Sequence, residues 1–439
     1  MARPGFVLEV DERTPPLLVH QGEGFRLQKF PLGSRVIYPP DSLPKLRGLR
    51  NHIRDALDHP HGSEPLRELL TPGMKLTIAI DDISIPLPPM QSPDIRQLVL
   101  EEVIELAARR GVEDVKLYMA NSLHRRMTAD EIKHAVGERV FRSFYPKDLK
   151  NHDAEDPENL AYVGKTDQGE EVEINKRAME SDLLIYVNIN LVAMDGGHKS
   201  VPVGLASYRS VKHHHNVHTM LHSKSYMDPR PGRSAIHDSC RRMGDVLKAN
   251  GLKVFTIETT MNNNTFPDPF GFMNKREWEW SLVEQGTYLA AKKANDMGPS
   301  AMRHQIWTRI KSPAGVTGIV AGDTDAVHEQ TLATLHRQQL VEVDGQSDIM
   351  VVGLPYICPY NVNSIMNPIL VHCLGLGYLF NLYRNKPVVR PGGAMIMFHP
   401  VPNEFHQVHH PSYVDFFEEV LTETTDPSTI ECKYEERYA

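Results

Sequence analysis

The sequence has little cysteine, no long apolar run and no basic tract. Its four cysteines are scattered over 439 residues without CxxC spacing, which fits a reducing compartment and argues against a disulfide framework or a cysteine zinc site. The formal net charge of −8 disfavours nucleic-acid binding. No apolar run approaches the ~20 residues that span a bilayer, and the start lacks an apolar signal core. We therefore expect a cytoplasmic protein with neither membrane nor nucleic acid as a partner.

Histidine, in contrast, is abundant. The 22 histidines cluster around residues 213–222 and 399–410, and an excess of imidazole hints at metal or proton chemistry. The composition, 41% hydrophobic and 24% charged, is that of a globular protein. The chain is long for a single hydrophobic core, so we expect two domains.

Buried strands alternate with helical segments along the first half of the chain. Apolar runs predict strands at Lys75–Asp81, Val115–Ala120, Leu183–Val192 and Val254–Met261. This alternation predicts an α/β fold with mostly parallel sheets. We predict an N-terminal α/β cofactor-binding domain over residues 1–261, a helical insertion or inter-domain connection over residues 262–312, and a C-terminal α/β domain over residues 313–439.

Two helix starts carry capping signals. Ser92, followed by Pro93, predicts the N-cap of a helix that ends at Gly111. Thr128 and Glu131 predict a capping box at the start of the next helix.

Polar loops follow three of these strands. They cover Asp81–Ser84, Asn121–Arg126 and Asp195–Lys199. In open parallel sheets, ligands bind at the carboxyl ends of the strands. We therefore expect the three loops to meet at one edge of the sheet and to form a binding site.

The segment from Met194 to Met220 carries the densest chemistry. A Gly-Gly pair follows the Leu183 strand, Lys199 comes next, and three histidines occupy residues 213–215. A strand that leads into a Gly-Gly turn presents backbone N–H groups to an anion such as phosphate. Together with a lysine and imidazole ligands, this pattern indicates a metal-containing, nucleotide-like cofactor.

The motifs DDISIPLPP, NSLHRRMT and DGGHKSVPVG, with a downstream histidine, resemble the nickel-pincer-nucleotide-dependent lactate racemase family over roughly Lys75 to His399. The resemblance implies two α/β domains with the cofactor in the cleft between them. It implies that Lys199 holds the cofactor covalently through a thioamide on a pyridinium mononucleotide. It also implies that His215, sixteen positions further on, ligates the nickel.

The resemblance assigns further roles in the same way. It implies that His124 is a general acid/base and that Asp82 belongs to a catalytic loop. Gly196, Gly197 and a nearby hydroxyl such as that of Ser84 would hold the cofactor. From the residues alone, other roles stay open: Lys199 as a simple phosphate-binding lysine, His213–His215 as a solvated loop, and His124 or Asp82 as capping residues.

The sequence departs from the family where the substrate is bound. Ile85 stands where the family has a carboxylate-binding arginine. The family's second catalytic histidine is absent, and Asn188 or Asn190 occupies a position near its place. Asn190 is therefore the predicted third catalytic residue, beside His124 and Asp82. Asn363 and Met366 are the nearest matches to a Gln-x-x-Lys substrate-binding pair. Other residues offer substitutes for the lost histidine (His198, His213, His214, His399) or for the lost cation (Lys212, Arg125, Arg126, Arg209).

The resemblance therefore implies an isomerase, but not a lactate racemase itself. The expected reaction is racemisation or epimerisation at the hydroxyl-bearing carbon of a 2-hydroxy acid or related sugar or polyol acid, by reversible hydride transfer. The expected partners are this small molecule and the cofactor-synthesis enzymes, and recombinant protein is expected to lack the cofactor where the host does not make it. Two alternatives stay open: a nickel or cofactor carrier without turnover, and a hydroxy-acid oxidoreductase.

Overall fold

The computed structural model describes residues 3–85, 87–362, 364–435 and 437. The strands within these ranges are β1 Phe6–Glu9, β2 Leu17–His20, β3 Phe25–Gln28, β4 Arg35–Tyr38, β5 Lys75–Asp81, β6 Asp114–Ala120, β7 Leu149–Asn151, β8 Leu160–Lys165, β9 Glu171–Asn175, β10 Leu183–Asn190, β11 Val254–Met261, β12 Val316–Gly322, β13 Ser347–Gly353 and β14 Val389–Phe398.

The α-helices in the same ranges are α1 Leu49–Asp58, α2 Leu66–Leu69, α3 Ile95–Arg109, α4 Ala129–Phe144, α5 Lys176–Met179, α6 Ser200–Gly204, α7 Tyr208–Val211, α8 Val217–His222, α9 Ala235–Ala249, α10 Leu282–Met297, α11 Ser300–Arg309, α12 Thr324–Gln339, α13 Pro368–His372, α14 Pro411–Asp415, α15 Leu421–Glu423 and α16 Pro427–Tyr434. A 3₁₀ turn covers Gly197–Lys199.

A six-stranded sheet organises the first part of the chain, in the order β12-β11-β10-β5-β6-β7. Strands β11, β10, β5, β6 and β7 run parallel, and β12 alone is antiparallel to its neighbour β11. The central strand β10 is buried along its whole length, which explains its continuous apolar sequence. The predicted α/β fold with a mostly parallel sheet is confirmed.

Each face of this sheet carries its own hydrophobic core. One face includes Ile78, Val187 and Ile257 and packs against α1, α3 and α4. The opposite face includes Ala79 and Tyr186 and packs against residues of α6 and α9. Strand residues alternate between the two faces, so the helices on both sides fix which loops meet at the carboxyl edge.

The helix caps agree with the sequence in one case and not in the other. Thr128 and Glu131 form the predicted capping box of α4. The N-cap of α3 is Asp94 rather than the predicted Ser92, because the Asp94 carboxylate accepts the backbone N–H of Arg96 at 2.9 Å. The helix therefore begins two residues later than predicted.

The second α/β unit is smaller than the sequence suggests. Strand β12, predicted to open it, pairs with β11 and extends the first sheet to Gly322, so the predicted boundary at residue 313 cuts through this sheet. Beyond it, β13 and β14 form a parallel pair. The helix predicted near residues 362–382 is represented by α13 and a π-helical turn at Cys373–Tyr378. The three-part division stays a prediction.

The segment 262–312 holds the helices α10 and α11. Trp280 and Tyr288 pack with Phe272 in a small core that also contacts Phe25 of β3. The segment is thus attached to the N-terminal hairpin. Within the ranges described, no helix is long and apolar enough to cross a membrane.

Candidate functional site

His124 and Asp82 form a hydrogen-bonded pair at the carboxyl edge of the sheet. Asp82 follows β5, His124 lies in the loop after β6, and His124 Nδ1 is 3.0 Å from Asp82 Oδ2. The other carboxylate oxygen accepts the backbone N–H of Ser84 at 2.9 Å and also its hydroxyl. Burial alone would raise the pKa of Asp82, but attraction to His124 and these hydrogen bonds lower it. Asp82 is therefore a carboxylate that takes the Nδ1–H of His124 and leaves Nε2 for proton transfer.

Two further residues hold this pair in place. The buried guanidinium of Arg96 donates to the carbonyl oxygens of Asp81 and Asp82, at 2.8 and 2.6 Å. From the C-terminal part of the chain, the Tyr360 ring lies with its centroid 5.4 Å from that of His124. The histidine is thus supported by the sheet on one side and by the second unit on the other.

His214 and His215 form a directed chain of hydrogen bonds. His214 is completely buried, its Nε2 lies 3.2 Å from the carbonyl oxygen of Pro202, and its Nδ1 lies 2.7 Å from Nδ1 of His215. A carbonyl only accepts, so His214 donates from Nε2 and accepts at Nδ1. His215 must then donate from Nδ1, which leaves the Nε2 lone pair of His215 available to a metal ion.

His215 is open to solvent, yet protein surrounds it closely enough that desolvation lowers its pKa well below the ordinary value. Repulsion from His214, Lys199 and His124 lowers it further. Charges act on one another strongly only over short distances in salt solution. Lys199 and His124 are thus charged neighbours of His215, and their common role around one cofactor stays a prediction.

Lys199 ends the 3₁₀ turn that follows β10, and its Nζ donates to the carbonyl oxygen of Met194 at 3.1 Å. Asp195 anchors this turn by accepting the backbone N–H groups of Leu191 and Val192 at 2.9 and 3.0 Å. Burial raises the pKa of Asp195, and the positive charge of Lys199 opposes that rise.

The Gly-Gly turn donates a hydrogen bond to a carboxylate of the protein itself. The N–H of Gly197 donates to Glu258 Oε1 at 2.7 Å. Gly196 has a φ of 78°, and a Cβ there would lie 2.3 Å from Asn190 Oδ1, so only glycine fits. This carboxylate does not favour a phosphate at the Gly197 amide, and Gly196 and Gly197 as cofactor ligands stay a prediction.

Two other predicted site residues lie close to this turn or to the His124–Asp82 pair. Asn190 is completely buried beneath the Gly-Gly turn, and its catalytic role stays a prediction. Ser84 donates hydrogen bonds from both its backbone N–H and its hydroxyl to Asp82. Its place is therefore in support of the His124–Asp82 pair.

The predicted substitute cations are engaged elsewhere. Arg125 makes a bidentate ion pair with Glu131 at 2.8 and 2.9 Å. Arg126 pairs with Asp153, Arg209 pairs with Glu173, and Lys212 lies over the ring of Tyr208. Ile85, in the place of the family arginine, packs against the core of the first sheet.

The predicted substitutes for the second histidine are also dispersed. His198 pairs with Asp325 at 3.1 Å, and His213 faces Glu171 at 3.8 Å. His399 lies against Gly22. Met366 is buried in the core of the second unit, and Asn363 lies outside the described residues.

No three histidine, cysteine, aspartate or glutamate side chains of the described ranges are grouped closely enough to hold a metal ion by themselves. His215 as the nickel ligand stays a prediction.

Comparison with known proteins relates part of this chain to one protein family. Residues 24–228 match the family model described as the lactate racemase N-terminal domain. This segment, a little under half of the chain, is similar to that family. Asp82, His124, Lys199 and His215 all lie within the matched segment.

Lactate racemases of Thermoanaerobacterium thermosaccharolyticum and Lactiplantibacillus plantarum are 29% and 28% identical to this chain over 167 and 168 residues. The alignments span 37% of this chain, and 37% and 38% of those relatives. The chain thus matches well under half of the length of these lactate racemases, and their activity is not transferred by identity alone.

The structure of the lactate racemase apoprotein from T. thermosaccharolyticum superposes with a TM-score of 0.53. It covers 87% of this chain and 73% of that one, at 17% identity. At this identity, the likeness shows a shared fold and nothing further. The shared fold extends beyond the N-terminal domain family into the second unit.

Sequence reasoning missed Glu258, His328 and Tyr360. Glu258 interrupts the apolar run VFTIETTM, and a charge inside a buried strand was a usable signal. His328 and Tyr360 carry no local signal, because only the folded chain brings α12 to the Gly-Gly turn and the second unit to His124.

Proposed function

We propose that this chain is a racemase or epimerase that acts at the hydroxyl-bearing carbon of a 2-hydroxy acid or a related sugar acid. In this proposal a nickel pincer nucleotide is attached to Lys199, and His215 binds its nickel. The main support is that the segment matching the lactate racemase N-terminal domain holds Lys199, the hydrogen-bonded His124–Asp82 pair, and a His215 whose Nδ1–H is held by His214.

The residues fit such a group. His215 keeps an unprotonated Nε2, because its Nδ1–H is held by His214. Lys199 makes one hydrogen bond, to Met194, and an ammonium has three donors. When bound, the cofactor supplies a reversible acceptor for hydride, and the protein supplies placement and electrostatics.

His124 performs the proton transfer. As the C–H bond breaks, the substrate hydroxyl becomes a carbonyl and its proton moves to Nε2 of His124. Asp82 holds Nδ1 and stabilises the imidazolium that forms. Such a positioned base typically contributes ~10²–10⁴-fold in rate. With hydride returned to the opposite face of the planar carbon, the centre would be inverted, and His124 would give its proton back to the oxygen.

The substrate is expected to differ from lactate. Ile85 replaces the carboxylate-binding arginine with an apolar side chain, and the nearby arginines are paired with carboxylates. A larger hydroxy acid that is held through its own hydroxyl groups suits such a site better than a three-carbon acid that needs one strong cation.

The test is a panel of hydroxy acids and sugar acids, using protein co-expressed with cofactor-synthesis enzymes and following stereochemical exchange with substrate and solvent deuterium. We expect inversion by the parent protein, retention of substrate deuterium, and loss of turnover in His124→Ala with nickel content unchanged. His52→Ala, at an exposed histidine, is the control. Inversion that persists in His124→Ala contradicts the assignment.

A second candidate function is a nickel or cofactor carrier without turnover. The pairing of Arg125, Arg126 and Arg209 with carboxylates favours it, since no substrate-binding cation is evident among these three. Stoichiometric nickel with no turnover across the panel supports the carrier. Net oxidation of a hydroxy acid without inversion instead indicates an oxidoreductase.

A further inference from the structure

A carboxylate–imidazole pair lies against the Gly-Gly turn. Glu258, in the middle of β11, is completely buried. Its Oε1 accepts the Gly197 N–H at 2.7 Å, and its Oε2 lies 3.2 Å from Nδ1 of His328, on α12. A carboxylate that accepts at Nδ1 fixes the imidazole in the tautomer whose lone pair is on Nε2. His328 is thereby prepared to accept a proton.

The Nε2 atom of His328 is buried and has no hydrogen-bond partner among the described residues. The His328 side chain borders a cavity of about 20 Å³ that Lys199 and Gly197 also line, a space sufficient for about one water molecule. Burial raises the pKa of Asp195, and both Lys199 and His328 oppose that rise. An unused acceptor and an ammonium with spare donors therefore share one small enclosure.

The other charged groups around this enclosure are mostly paired with each other. Asp325 accepts from His198 at 3.1 Å and from Arg241 at 3.3 Å. His237 also has an unpartnered Nε2 within the described ranges, but its Nδ1 faces the Ser234 hydroxyl rather than a carboxylate. Burial and repulsion from Lys199 lower the pKa of His237 to about 3, which makes it a poor base. His328 is the histidine of this group that a buried carboxylate supports.

We propose that His328, oriented by Glu258, removes a proton from the Lys199 ammonium and so makes Lys199 the nucleophile that attaches the cofactor. The identity of the electrophile rests on the proposed function, whereas the activation of Lys199 does not. His328 acts on the reacting nitrogen, and Glu258 is a positioning residue.

The step balances without a redox partner. Nζ of Lys199 gives one proton to His328 Nε2 and uses the freed electron pair to form a C–N bond to the carbon of a thiocarboxylate. The carbon–oxygen bond breaks, and the oxygen leaves as water. That water takes the proton held by His328 and a second proton from the nitrogen. The product is a secondary thioamide, and His328 returns to its starting state.

The test measures the nucleophilicity of Lys199 in the full-length apoprotein. A limiting amount of an N-hydroxysuccinimide ester of acetic acid is added near neutral pH, and acetylation of Lys199 is compared by peptide mass spectrometry with that of the exposed Lys253. We expect Lys199 to react faster than Lys253. In His328→Gln and Glu258→Gln we expect the Lys199 rate to fall by at least about 10-fold, as befits loss of a general base, while Lys253 is unchanged.

Two controls separate basicity from structure. His336→Gln alters a half-buried histidine two turns along the same helix and is expected to leave the ratio unchanged. In His328→Ala, added imidazole is expected to restore the Lys199 rate relative to Lys253, which a packing defect does not allow. His328→Gln remains informative if Glu258→Gln does not fold.

Two results overturn the proposal: Lys199 reacting no faster than Lys253 in the parent protein, or an unchanged ratio in a folded His328→Gln. Failure of the proposed function leaves a different signature, in which Lys199 shows reactivity that depends on His328 and Glu258 but no hydroxy acid is turned over.

Discussion

The Nδ1 atoms of His214 and His215 lie 2.7 Å apart, and this contact decides which nitrogen of His215 faces outward. The direction of the hydrogen bond follows from the Pro202 carbonyl at the other end of His214. The hydroxyl of Thr219 also donates to the His214 carbonyl oxygen at 3.1 Å, which fixes the backbone of the same residue. The buried histidine thus sets the tautomer and the orientation of its exposed neighbour.

His214→Leu removes the acceptor for His215 Nδ1–H and fills the buried position with an apolar side chain of similar size. Loss of such a supporting partner typically costs 10–100-fold in metal affinity, so we expect nickel to leave the cofactor-loaded variant faster by about that factor. Nickel transfer to a chelator, followed by optical absorbance, measures the rate. His213→Leu, at the preceding and more exposed histidine, is the control. Equal nickel loss from the His214→Leu variant and the parent protein contradicts the assigned tautomer.

Asp82→Asn keeps the shape of the side chain but removes the charge that holds His124 Nδ1. Because the asparagine amide can offer a donor to Nδ1, His124 is free to place its proton on Nε2 and is then unable to accept one. We expect turnover on the active substrate to fall by about 10²-fold, with nickel content and melting temperature close to those of the parent. Stopped assays on matched, nickel-quantified samples test this, and an Asp82→Asn variant of unaltered turnover excludes Asp82 as the orienting group.

Arg125 joins the loop of His124 to the second unit, and Arg126 beside it does not. Arg125 is 7% exposed, pairs with Glu131, and donates to the carbonyl oxygen of Val362 at 2.8 Å. Arg126 is 58% exposed and pairs with Asp153. Removal of one partner of a buried ion pair typically costs ~3–5 kcal/mol, whereas an exposed pair is worth ~0–1 kcal/mol.

We therefore expect Arg125→Leu to lower the free energy of unfolding by roughly 3 kcal/mol and Arg126→Leu to change it by less than about 1 kcal/mol. Urea unfolding followed by tryptophan fluorescence gives both values. Limited proteolysis between residues 355 and 367 should accelerate only in Arg125→Leu. Similar unfolding free energies for the two variants would show that the contact with Val362 does not stabilise the fold.

The sequence predicts the local elements of this fold well, because their signals are local. Strands β5 and β11 begin and end where the apolar runs do, since polar or glycine-containing turns follow them. The capping box at Thr128 needs only residues three apart. Lys199 and His215 lie sixteen positions apart, in the turns and short helices after β10, and their common role stays a prediction.

Long-range partners could not be predicted in the same way. Strand β12 reads as the first strand of a new unit, and only its pairing with β11 assigns it to the first sheet. The Gly-Gly turn predicts a bound phosphate, which stays a prediction, whereas the group that accepts the Gly197 N–H is Glu258, sixty-one positions away. Only the fold brings this carboxylate to the turn.

Asp81 gives the protein a pH dependence that can be isolated by one substitution. Burial raises the pKa of Asp81 to about 7, although its carboxylate accepts the N–H of Ile189. In the unfolded chain an aspartic acid loses its proton near pH 3.9. Between these values the folded state binds more protons, so this residue lowers the free energy of unfolding as pH rises, by at most ~1.4 kcal/mol per pH unit.

Asp81→Asn can still accept the Ile189 N–H but does not titrate. We therefore expect the variant to gain stability relative to the parent as pH rises from about 4 to about 7, with a constant difference above that range. Urea unfolding at intervals of about one pH unit measures the difference. Asp182 accepts the backbone N–H of Lys75 near the surface. The control variant Asp182→Asn should show no such trend. A difference that is flat across this range, or that falls with pH, means that Asp81 is ionised in the folded protein and that its neighbours stabilise the charge.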